Sequence, residues 1–541
     1  MKRWNGWGDE KNNFNFKLTP VAKKYIENIT GTNQHLAQAS LDEVINKVPQ
    51  SKAPAHPLIN TDPEVRIRHS RGQSIPDWIA MKSGEFGTFT DGVAFPENTE
   101  QVKALLALAK EQNFIVIPYG GGTSVCGHIN PENSDAKAII SVSMAKMNKL
   151  MAIDKESQIA TFGAGTLGPD IEKQLAEHGF TLGHFPQSWE LSTIGGWVAS
   201  RSSGQQSLRY GRIEKMFAGG KIETLQGTLD IPTFPASSAG PDIREIILGS
   251  EGRIGIITEV KVRITKISEH ESFHVAFFPS WEIGIAATRN IVQSGVQLSM
   301  MRLSNAKETS SHLKLAGHER AVSLMEKYLK FRGCGEGKTM FTYGITGTKL
   351  QCKSALKQVK QLISTDKGIN IGTVLGKHWE HSRFRSPYLR EGLWEVGLAV
   401  DTMETCVDWP SVPCTVKQME ADIGSALHGY LDTDLKKINE NIHVFTHLSH
   451  FYGQGCSVYT TYVFRMGDNY KEAMSRWEKL KAAGAKAIVN NGGTISHQHG
   501  VGTDHKPYLS AEKGELGIRT IQGLCKAFDP EKRMNPGKLV D

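Results

Sequence analysis

The chain has 541 residues, too many for one ordinary hydrophobic core, so two or three domains are expected. Its hydrophobic fraction of 39% and charged fraction of 22% are ordinary for a globular protein, and the net charge of +7 is mild for this length. Because Lys and Arg are spread along the chain, the charge suits anionic substrates or an acidic membrane surface and argues against nucleic-acid binding.

The seven cysteines are odd in number, and no two of them form a Cys-x-x-Cys pair. This spacing predicts free thiols in a reducing compartment and argues against a zinc ribbon or a disulfide framework. The N-terminal residues contain no apolar signal core, and no stretch of roughly 18 apolar residues occurs, so we expect neither secretion nor a membrane span. The last residues are not a Ser-Lys-Leu peroxisomal address, and a cytoplasmic location is therefore expected.

Residues 1–90 are polar and are interrupted by several prolines. They predict short helices joined by extended connections. The clearest helix spans residues 41–48, because Ser40 and Glu43 form a capping-box pattern ahead of it and Pro49 stops it.

A longer helix begins at Asn98 or Thr99, either of which can cap it, and carries apolar residues at helical spacing. It leads into a short apolar run at residues 114–117 that is typical of a strand. A glycine-rich loop, residues 118–124, follows directly. Helix, strand and glycine loop in this order are typical of a nucleotide-binding domain.

The glycine loop has three consecutive glycines at residues 120–122, followed by Thr123 and Ser124. Without Cβ atoms, successive backbone amides can face inward and cradle an anion, and the two hydroxyls can add donors. No amphipathic helix follows and no Gly-Lys-Ser/Thr is present, so the loop is neither a Rossmann fingerprint nor a Walker loop. It predicts a phosphate or pyrophosphate site, with a glycine-rich surface turn as the alternative.

Two more small-residue loops follow in the same part of the chain. Residues 187–196 lead into a serine-rich stretch that ends at residue 204, and residues 249–257 form the third loop. Small side chains at these positions let a flat ligand or another backbone approach closely. Three such loops in succession indicate a binding site more than a set of surface turns.

The composition changes at about residue 269. A strand-like run at residues 274–278 alternates with helical stretches at residues 282–292, 319–330 and 353–362. This alternation predicts a second domain of α+β type.

A strand at residues 456–464 follows, and its period of two places Tyr459 on one face with Ser457 and Thr461. A helix over residues 470–483, ended near Gly484, then leads to a histidine-containing segment, Ser-His-Gln-His-Gly-Val-Gly.

Taken together, these segments resemble the vanillyl-alcohol oxidase / p-cresol methylhydroxylase (PCMH) family of flavoproteins, and within it the alkylglycerone-phosphate synthases. The resemblance covers nearly the whole chain. The motifs that carry it are residues 4–8 (Trp-Asn-Gly-Trp-Gly), 118–124 (Pro-Tyr-Gly-Gly-Gly-Thr-Ser), 190–197 (Glu-Leu-Ser-Thr-Ile-Gly-Gly-Trp), 249–252 (Gly-Ser-Glu-Gly), 386–390 (Ser-Pro-Tyr-Leu-Arg), Tyr459 and 496–502 (Ser-His-Gln-His-Gly-Val-Gly).

The resemblance implies an α+β fold with a two-subdomain PCMH-type FAD-binding domain and an α+β cap domain. We place the N-terminal helical and extended region at 1–90, the FAD-binding domain at 91–268, the cap at 269–450, and a C-terminal segment that returns to the flavin at 451–541. The implied cofactor is FAD. The residues implied to contact it are Pro118, Tyr119, Gly120, Gly121, Gly122, Thr123, Ser124, Gln187, Ser188, Glu190, Ser192, Thr193, Ser200, Arg201, Ser202, Ser203, Glu251, Gly252, Gly255, Ile256 and Ile257.

The implied reaction exchanges the fatty acid of an acyl-dihydroxyacetone phosphate for a fatty alcohol, with flavin N5 as a covalent trap and without net redox. Tyr459 matches the family's catalytic tyrosine and would handle the proton. A phenol with a pKa of about 10 needs a lowered value or a partner to act as a base, and His497 and His499 are the expected partners. Arg302 and Arg390 match the family's active-site arginines, and arginine suits bidentate capture of phosphate.

Each of these residues also fits a structural role. Tyrosine favours strands, so Tyr459 by itself is consistent with packing alone. Arg302 fits a strand arginine paired at a surface, and Arg390 fits an ion pair with Glu391 or Glu395. The match of all of them to family positions favours function over these alternatives.

One departure from the family lies between His497 and His499, where Gln498 replaces the middle one of three histidines. Glutamine can donate and accept hydrogen bonds but does not change charge near neutral pH. The two histidines also fit a structural hydrogen-bond corner before a glycine turn. His128 is a candidate for covalent flavin attachment, although we expect a noncovalent flavin.

The main alternative is an FAD-dependent oxidoreductase of a 2-hydroxy acid or alcohol on the same scaffold. In that case His497 and His499 with His447 and His450 are candidates for a divalent metal, although no metal is expected. The segment His-x-Gly-Asp-Gly-Asn-x-His, which related D-lactate dehydrogenases use, does not occur. A flavin-binding module without catalysis is a third interpretation. The expected partners are a lipid-like phosphorylated small molecule, a membrane surface contacted peripherally, and a second copy of the chain, as the resemblance implies.

Overall fold

The computed structural model describes residues 2–10, 17–315, 319–428 and 441–541. Within these residues the N-terminal region contains four helices and one two-residue strand, and it packs on both larger parts of the molecule. Its capping box is confirmed, because the N–H of Glu43 donates to Ser40 Oγ and the Glu43 carboxylate accepts from the Ser40 N–H. The elements of this region are α1 (Pro20–Thr30), α2 (Leu41–Lys47), β1 (Ile59–Asn60), α3 (Pro63–Arg68) and α4 (Ile75–Ser83).

The predicted FAD-binding part contains a mixed four-stranded sheet, an antiparallel five-stranded sheet and one two-stranded pair. The elements are β2 (Gly92–Ala94), α5 (Thr99–Gln112), β3 (Phe114–Tyr119), β4 (Ala138–Ser143), β5 (Leu150–Asp154), β6 (Ile159–Gly163), α6 (Gly168–Ala176), β7 (Phe180–Thr181), α7 (Ile194–Ser200), α8 (Ser207–Tyr210), α9 (Ile213–Met216), β8 (Phe217–Thr224), β9 (Gly227–Ile231), α10 (Arg244–Ile247), β10 (Ile256–Arg263) and β11 (Thr265–Lys266).

The four-stranded sheet has the order β1-β2-β4-β3, in which β4 runs parallel to both β2 and β3. Helix α5, capped by the Asn98 side chain, delivers the chain into β3 as the sequence predicts. The glycine loop leaves the carboxyl end of β3, and no helix follows it directly. The five-stranded sheet has the order β5-β6-β10-β8-β9. The second loop opens into α7 and the third loop into β10, so all three loops come from the ends of buried elements.

The cap is built on one antiparallel sheet of seven strands with helices packed against it. Its elements are β12 (His270–Phe278), α11 (Trp281–Gln293), β13 (Met300–Ser304), α12 (Ala306–Leu315), α13 (Glu319–Phe331), β14 (Thr339–Gly347), α14 (Lys349–Thr365), β15 (Ile369–Gly372), α15 (Val374–Ser382), α16 (Ser386–Trp394), β16 (Leu398–Asp408), α17 (Val412–Ser425), β17 (His443–Phe451), β18 (Gly455–Arg465), α18 (Tyr470–Asn490) and α19 (Leu509–Phe528). The strand order is β15-β12-β14-β13-β17-β18-β16.

Two details differ from the sequence expectations. The sheet of the cap runs across residue 450, because β17 and β18 are adjacent strands, so the segment that returns to the cavity begins after β18. Helix α18 does not end near Gly484 but continues to Asn490. Gly484 lies inside the helix because its missing side chain allows close packing: a Cβ there would lie 2.4 Å from Met403 Sδ.

All seven cysteines are free thiols, as their spacing predicts. In the described parts of the chain, every helix is too short or too polar to cross a bilayer.

Candidate active site

A cavity of about 680 Å³ lies between the three small-residue loops and the sheet of the cap. Strands β14 and β18 of the cap contribute alternate residues, which is the period expected of one sheet face. The strand residues that line the cavity include Met340 and Thr342 on β14, Val400 and Thr402 on β16, Phe445, His447 and Ser449 on β17, and Tyr459 and Thr461 on β18. The cavity is therefore the place where both large parts of the molecule meet.

The glycine loop has the close packing and the free amides that an anion site needs. A Cβ on Gly121 would lie 1.7 Å from the Leu191 carbonyl oxygen, and Gly122 has a positive φ of +67°. Among the described residues, the backbone amides of Gly121, Gly122 and Thr123 find no hydrogen-bond acceptor. These amides line a cavity and lack partners, so they fit the phosphate oxygens of a dinucleotide. Ser124 Oγ is used differently from the expectation, because it accepts from the amides of Cys126 and His128.

The second loop presents small hydroxyl residues to the cavity. Thr193 caps α7 by accepting the Gly196 N–H at 3.3 Å, and Ser192 Oγ accepts from the Trp197 indole at 2.7 Å. Ser203 Oγ lies 3.0 Å from His450 Nδ1, which links this loop to the cap. Gln187, Ser188, Ser192, Thr193, Ser200, Ser202 and Ser203 line the cavity as expected.

Two residues predicted to contact the cofactor lie outside the cavity lining. The Glu190 carboxylate accepts from the Tyr388 hydroxyl at 3.2 Å. Arg201 ends α7 in a left-handed conformation and pairs with Glu245 at 2.8 Å. Both side chains pair with other residues of the protein. The order of residue types along one loop does not reveal such pairs.

The third loop holds the C-terminal segment against the cavity through Glu251. Its buried carboxylate accepts from the amides of Val501 and Gly502, at 2.5 and 2.8 Å. The His128 ring lies 3.2 Å from the same carboxylate. Although burial opposes it, the negative charge of Glu251 raises the pKa of His128. Gly252, Gly255, Ile256 and Ile257 line the cavity beside Glu251.

Tyr459 projects from the middle of the sheet into the cavity. Its hydroxyl donates to Thr402 Oγ1 at 3.2 Å, and not to a histidine as expected. The His447 ring stacks on the phenol with centroids 4.7 Å apart, and His499 contacts it edge-on at 6.0 Å. Burial, together with the charge of Glu404, raises the pKa of Tyr459 above its ordinary value. The phenol is therefore protonated at neutral pH.

Arg302 reaches the cavity from β13. It donates to the buried Glu308 carboxylate at 2.7 Å and lies 3.1 Å from His447 Nδ1. Its Nε is buried and has no hydrogen-bond acceptor among the described residues. Arg302 is thus a cavity residue and not an exposed strand arginine.

Arg390 reaches the cavity from α16, on the side of the N-terminal region. It donates to the Gln73 carbonyl oxygen and lies over the Trp78 ring, 5.3 Å from the ring centre. The nearest carboxylate is Asp401, at 4.0 Å, and neither Glu391 nor Glu395 pairs with it. Burial lowers the pKa of Arg390, and the charge of Asp401 opposes that change.

The two candidate histidines have different positions. His499 lines the cavity, whereas His497 does not and instead contacts Arg212 at 2.6 Å and the Tyr452 hydroxyl at 2.7 Å. Burial lowers the pKa of His499 against the charge of Glu404. Burial and the charge of Arg212 lower the pKa of His497 well below its usual range. Both imidazoles are therefore neutral at pH 7.

Gln498 also lines the cavity and is held by Glu404 on β16. Its side-chain amide donates to Glu404 Oε2 at 3.0 Å, and its backbone N–H donates to Glu404 Oε1 at 2.9 Å. A glutamine amide here makes the hydrogen bond to Glu404 that fixes this segment. It supplies no group that titrates near neutral pH.

Several cavity residues were not predicted, and His447 was named only as a candidate metal ligand of the oxidoreductase alternative. Glu308, His447 and Thr402 contact the predicted arginine and tyrosine, and Lys481 and Asp401 lie 3.9 Å apart beside Arg390. No local signal marks them, because they come from different strands and helices of the cap. Trp7, which also lines the cavity, belongs to a motif that the sequence comparison singled out without a role.

The metal arrangement considered for the oxidoreductase alternative does not form. Within the described residues, no group of three or more His, Cys, Asp or Glu side chains is placed to hold a metal ion. His450 instead lies 3.0 Å from Ser203 Oγ and 3.2 Å from Ser207 Oγ.

Comparison with known proteins agrees with this geometry. Residues 90–230 match the family model described as an FAD binding domain, and residues 267–539 match the C-terminal domain of FAD linked oxidases. An alkyldihydroxyacetonephosphate synthase from Dictyostelium discoideum is 30% identical, over 89% of this chain and 78% of the relative. A solved alkyldihydroxyacetonephosphate synthase structure superposes with a TM-score of 0.83 and 26% identity, over 99% of both chains. A mitochondrial D-lactate dehydrogenase [cytochrome] from Arabidopsis thaliana is more distant, at 26% identity over 83% of this chain and 73% of the relative.

Proposed function

The chain belongs to the alkyldihydroxyacetonephosphate synthase family of FAD enzymes, and on that premise we propose that it exchanges the acyl group of an acyl-dihydroxyacetone phosphate for a fatty alcohol. One observation carries the proposal. Tyr459, His499, Arg302 and Arg390 come from separate elements, yet all line the cavity that the glycine loop enters. A phenol, a neutral imidazole and two guanidinium groups around one cavity suit proton transfer on a phosphorylated substrate.

FAD would be held by the unpaired amides of the glycine loop and by the hydroxyl residues of the second loop. When bound, the flavin would supply the reactivity of its N5 to an exchange that involves no net redox. The protein's own groups then have three tasks: binding the phosphate, moving protons and accommodating the hydrocarbon chains.

The arginines are suited to the first task. Arg302 lines the cavity, and its Glu308 partner fixes the guanidinium. Arg390 is held by Gln73 and by stacking on Trp78, which leaves its charge within the cavity. Guanidinium groups fixed in this way can bind phosphate oxygens in a defined orientation.

Tyr459 and His499 are suited to the second task. Since its pKa is raised, Tyr459 holds its proton at neutral pH and can donate it to the departing carboxylate. Since its pKa is lowered, His499 is neutral and can accept the proton of the incoming alcohol. The two rings lie edge to face, 6.0 Å apart, so both serve the same region of the cavity.

The apolar part of the cavity is suited to the third task. It is formed mainly by the cap, and a fatty chain placed there gains about 0.8 kcal/mol for each buried CH₂ group. The apolar lining residues of the cap include Met300, Met301, Leu313, Met340, Leu375 and Phe445.

The direct test is mass spectrometry of the products formed from palmitoyl-dihydroxyacetone phosphate and hexadecanol. We expect hexadecyl-dihydroxyacetone phosphate and one equivalent of palmitate, with no oxidised product. Omitting hexadecanol should abolish the ether product. Recovery of the acyl substrate unchanged from FAD-loaded protein would contradict the proposal.

A second candidate is an FAD-dependent oxidoreductase of a 2-hydroxy acid or alcohol. Gln498 favours this candidate, because it stands where the family has a histidine that can titrate, and a glutamine cannot take part in acyl–alkyl exchange by titrating. In that case a 2-hydroxy acid or alcohol would bleach the oxidised flavin spectrum under anaerobic conditions and yield an oxidised product. Bleaching without ether formation would replace the synthase proposal with this one.

We also propose that the protein contacts a membrane peripherally, through α13. This helix packs on the cap with Val322, Met325 and Leu329, and its opposite side leaves Leu324 and Phe331 71% and 87% exposed. Leu313, Met340 and Leu375 belong to the same small core and also line the cavity, so this core joins α13 to the cavity wall. Exposed lysines of the helix suit anionic lipid head groups.

The remaining parts of the proposal are the compartment and the oligomeric state. The free thiols support a reducing compartment such as the cytoplasm. A homodimer is supported by the family resemblance, and light scattering of the purified protein would measure it.

A further inference from the structure

The N-terminal segment, residues 2–9, crosses between the glycine loop and the cap. Its two ends form an antiparallel bridge between Lys2 and Asp9, and the Arg3 N–H donates to the Gly8 carbonyl oxygen at 3.0 Å. The segment is therefore a closed turn and not an extended tail. We call it the N-terminal clasp.

One side of the clasp is attached to the glycine loop. The Lys2 ammonium donates to the Tyr119 hydroxyl at 2.9 Å and to the Gly122 carbonyl oxygen at 3.0 Å. The Arg68 guanidinium donates to the Lys2 carbonyl oxygen, which fixes the position of the lysine. These contacts join the clasp to the loop whose amides have no acceptors.

The other side of the clasp is attached to α16 of the cap. Arg3 pairs with Glu391 at 3.2 Å. Gly8 packs so closely that a Cβ on it would lie 3.0 Å from the Tyr388 ring. A ligand between the glycine loop and α16 is therefore covered by this segment.

Trp7, in the middle of the clasp, carries a donor without an acceptor. The residue is 6% exposed and lines the cavity, and its indole Nε1 is buried with no hydrogen-bond partner among the described residues. The Trp189 and Trp394 indoles share that lack of a partner but do not line the cavity. Burying an indole N–H without an acceptor is unfavourable. Because this group can only donate, its missing partner must be a hydrogen-bond acceptor.

The surroundings of Trp7 indicate which acceptor it meets. The Gly6 carbonyl oxygen, one residue before Trp7, accepts from the Gln73 side chain at 3.4 Å. The Gln73 backbone N–H donates to the Ser124 carbonyl oxygen at 2.6 Å. Gln73 thus links the backbone next to Trp7 to the end of the glycine loop, where phosphate oxygens are expected.

We propose that the Trp7 indole N–H donates to a phosphate oxygen of the FAD diphosphate, and that the clasp retains the cofactor. This inference rests on the proposed FAD binding. The phosphate of the substrate could also accept this hydrogen bond. Arg390, which is proposed to bind that phosphate, donates to Gln73, the same residue that contacts the clasp. The cofactor is the stronger candidate because Lys2 of the clasp contacts the glycine loop directly.

The test measures FAD release from holoenzyme variants by flavin fluorescence, with activity as a separate readout. In the Trp7→Phe variant the ring is kept and the donor is removed, and we expect the FAD dissociation constant to rise about tenfold or more, as for a hydrogen bond to a charged group. Lys2→Met should shift it in the same direction. Trp4→Phe is the matched control, because Trp4 lies on the same segment outside the cavity lining, and it should leave FAD affinity unchanged.

An unchanged FAD affinity in Trp7→Phe overturns the inference, and a raised KM for the acyl substrate together with that result would assign the donor to the substrate phosphate. If Trp7→Phe does not fold, Lys2→Met decides whether the clasp retains FAD. Wild-type protein that cannot be loaded with FAD would instead refute the proposed function. These outcomes distinguish a failure of the inference about Trp7 from a failure of the proposed function.

Discussion

At the scale of single residues, the environment of Tyr459 determines which proton role it can have. The sequence argument required a lowered pKa or a histidine partner for a basic tyrosine. The structure provides neither: the hydroxyl donates to Thr402, and burial with the charge of Glu404 raises the pKa. Tyr459 is therefore suited to donate a proton, and the neutral His499 is the better acceptor.

We predict that Tyr459→Phe lowers the rate of ether formation by about 100-fold or more, the usual contribution of a positioned acid. FAD content should stay unchanged, because Tyr459 lies on the cap and not on the three loops. Tyr343→Phe is a suitable control, since Tyr343 is a buried tyrosine of the same sheet that does not line the cavity. Full activity of Tyr459→Phe in the mass-spectrometric assay would remove the tyrosine from the mechanism.

At the scale of elements, the period of a helix or strand predicts its existence better than its end. The capping box of α2 and the cap of α5 are confirmed because their signals are local. The end of α18 was predicted wrongly because Gly484 has a packing role that involves Met403 on β16. Helix α13 was predicted from its sequence, but the sequence did not reveal which of its apolar residues are exposed.

For α13 we predict that Leu324→Glu and Phe331→Glu lower binding to anionic lipid vesicles several-fold, since each replaces an exposed apolar contact by a charge repelled by the head groups. Cosedimentation with phosphatidylserine vesicles measures the effect. Leu516→Glu is the matched control, because Leu516 on α19 is equally exposed, at 71%. Equal loss of binding in all three variants would show that α13 is not the contact.

At the scale of the whole molecule, the buried neutral histidines make stability depend on pH. Burial lowers the pKa of His184 to about 3 and the pKa of His443 to about 4. An unfolded histidine has a pKa of about 6.5, so below that pH the unfolded chain binds protons that the folded chain does not. The stabilisation is fully present above pH 6.5 and is lost as pH falls towards the folded values.

The unfolding temperature should accordingly fall between pH 7 and pH 5, and calorimetry or a dye-based melt can follow it. Each histidine of this kind contributes a slope of about 1.4 kcal/mol per pH unit to the free energy of unfolding. His184→Gln should reduce the slope of the free energy of unfolding against pH by about that 1.4 kcal/mol per pH unit. His381→Gln, at an exposed position, should leave the slope unchanged. An identical pH profile for His184→Gln and the wild type would contradict the assignment.

The sequence by itself indicated the three loops, because glycine runs, capping residues and strand periods express constraints within a few neighbouring residues. The class of the fold and the candidate tyrosine, arginines and histidines followed from the resemblance of the whole chain to a family, and not from these local patterns. Only the tertiary structure decided which residues face the cavity: the candidates His497, Glu190 and Arg201 do not line it, whereas Glu308, His447, Thr402 and Trp7 do. These positions depend on strand pairing and on contacts between residues far apart in the chain, such as Lys2 with Tyr119 and Gly122 of the glycine loop. Local sequence patterns carry no information about such contacts.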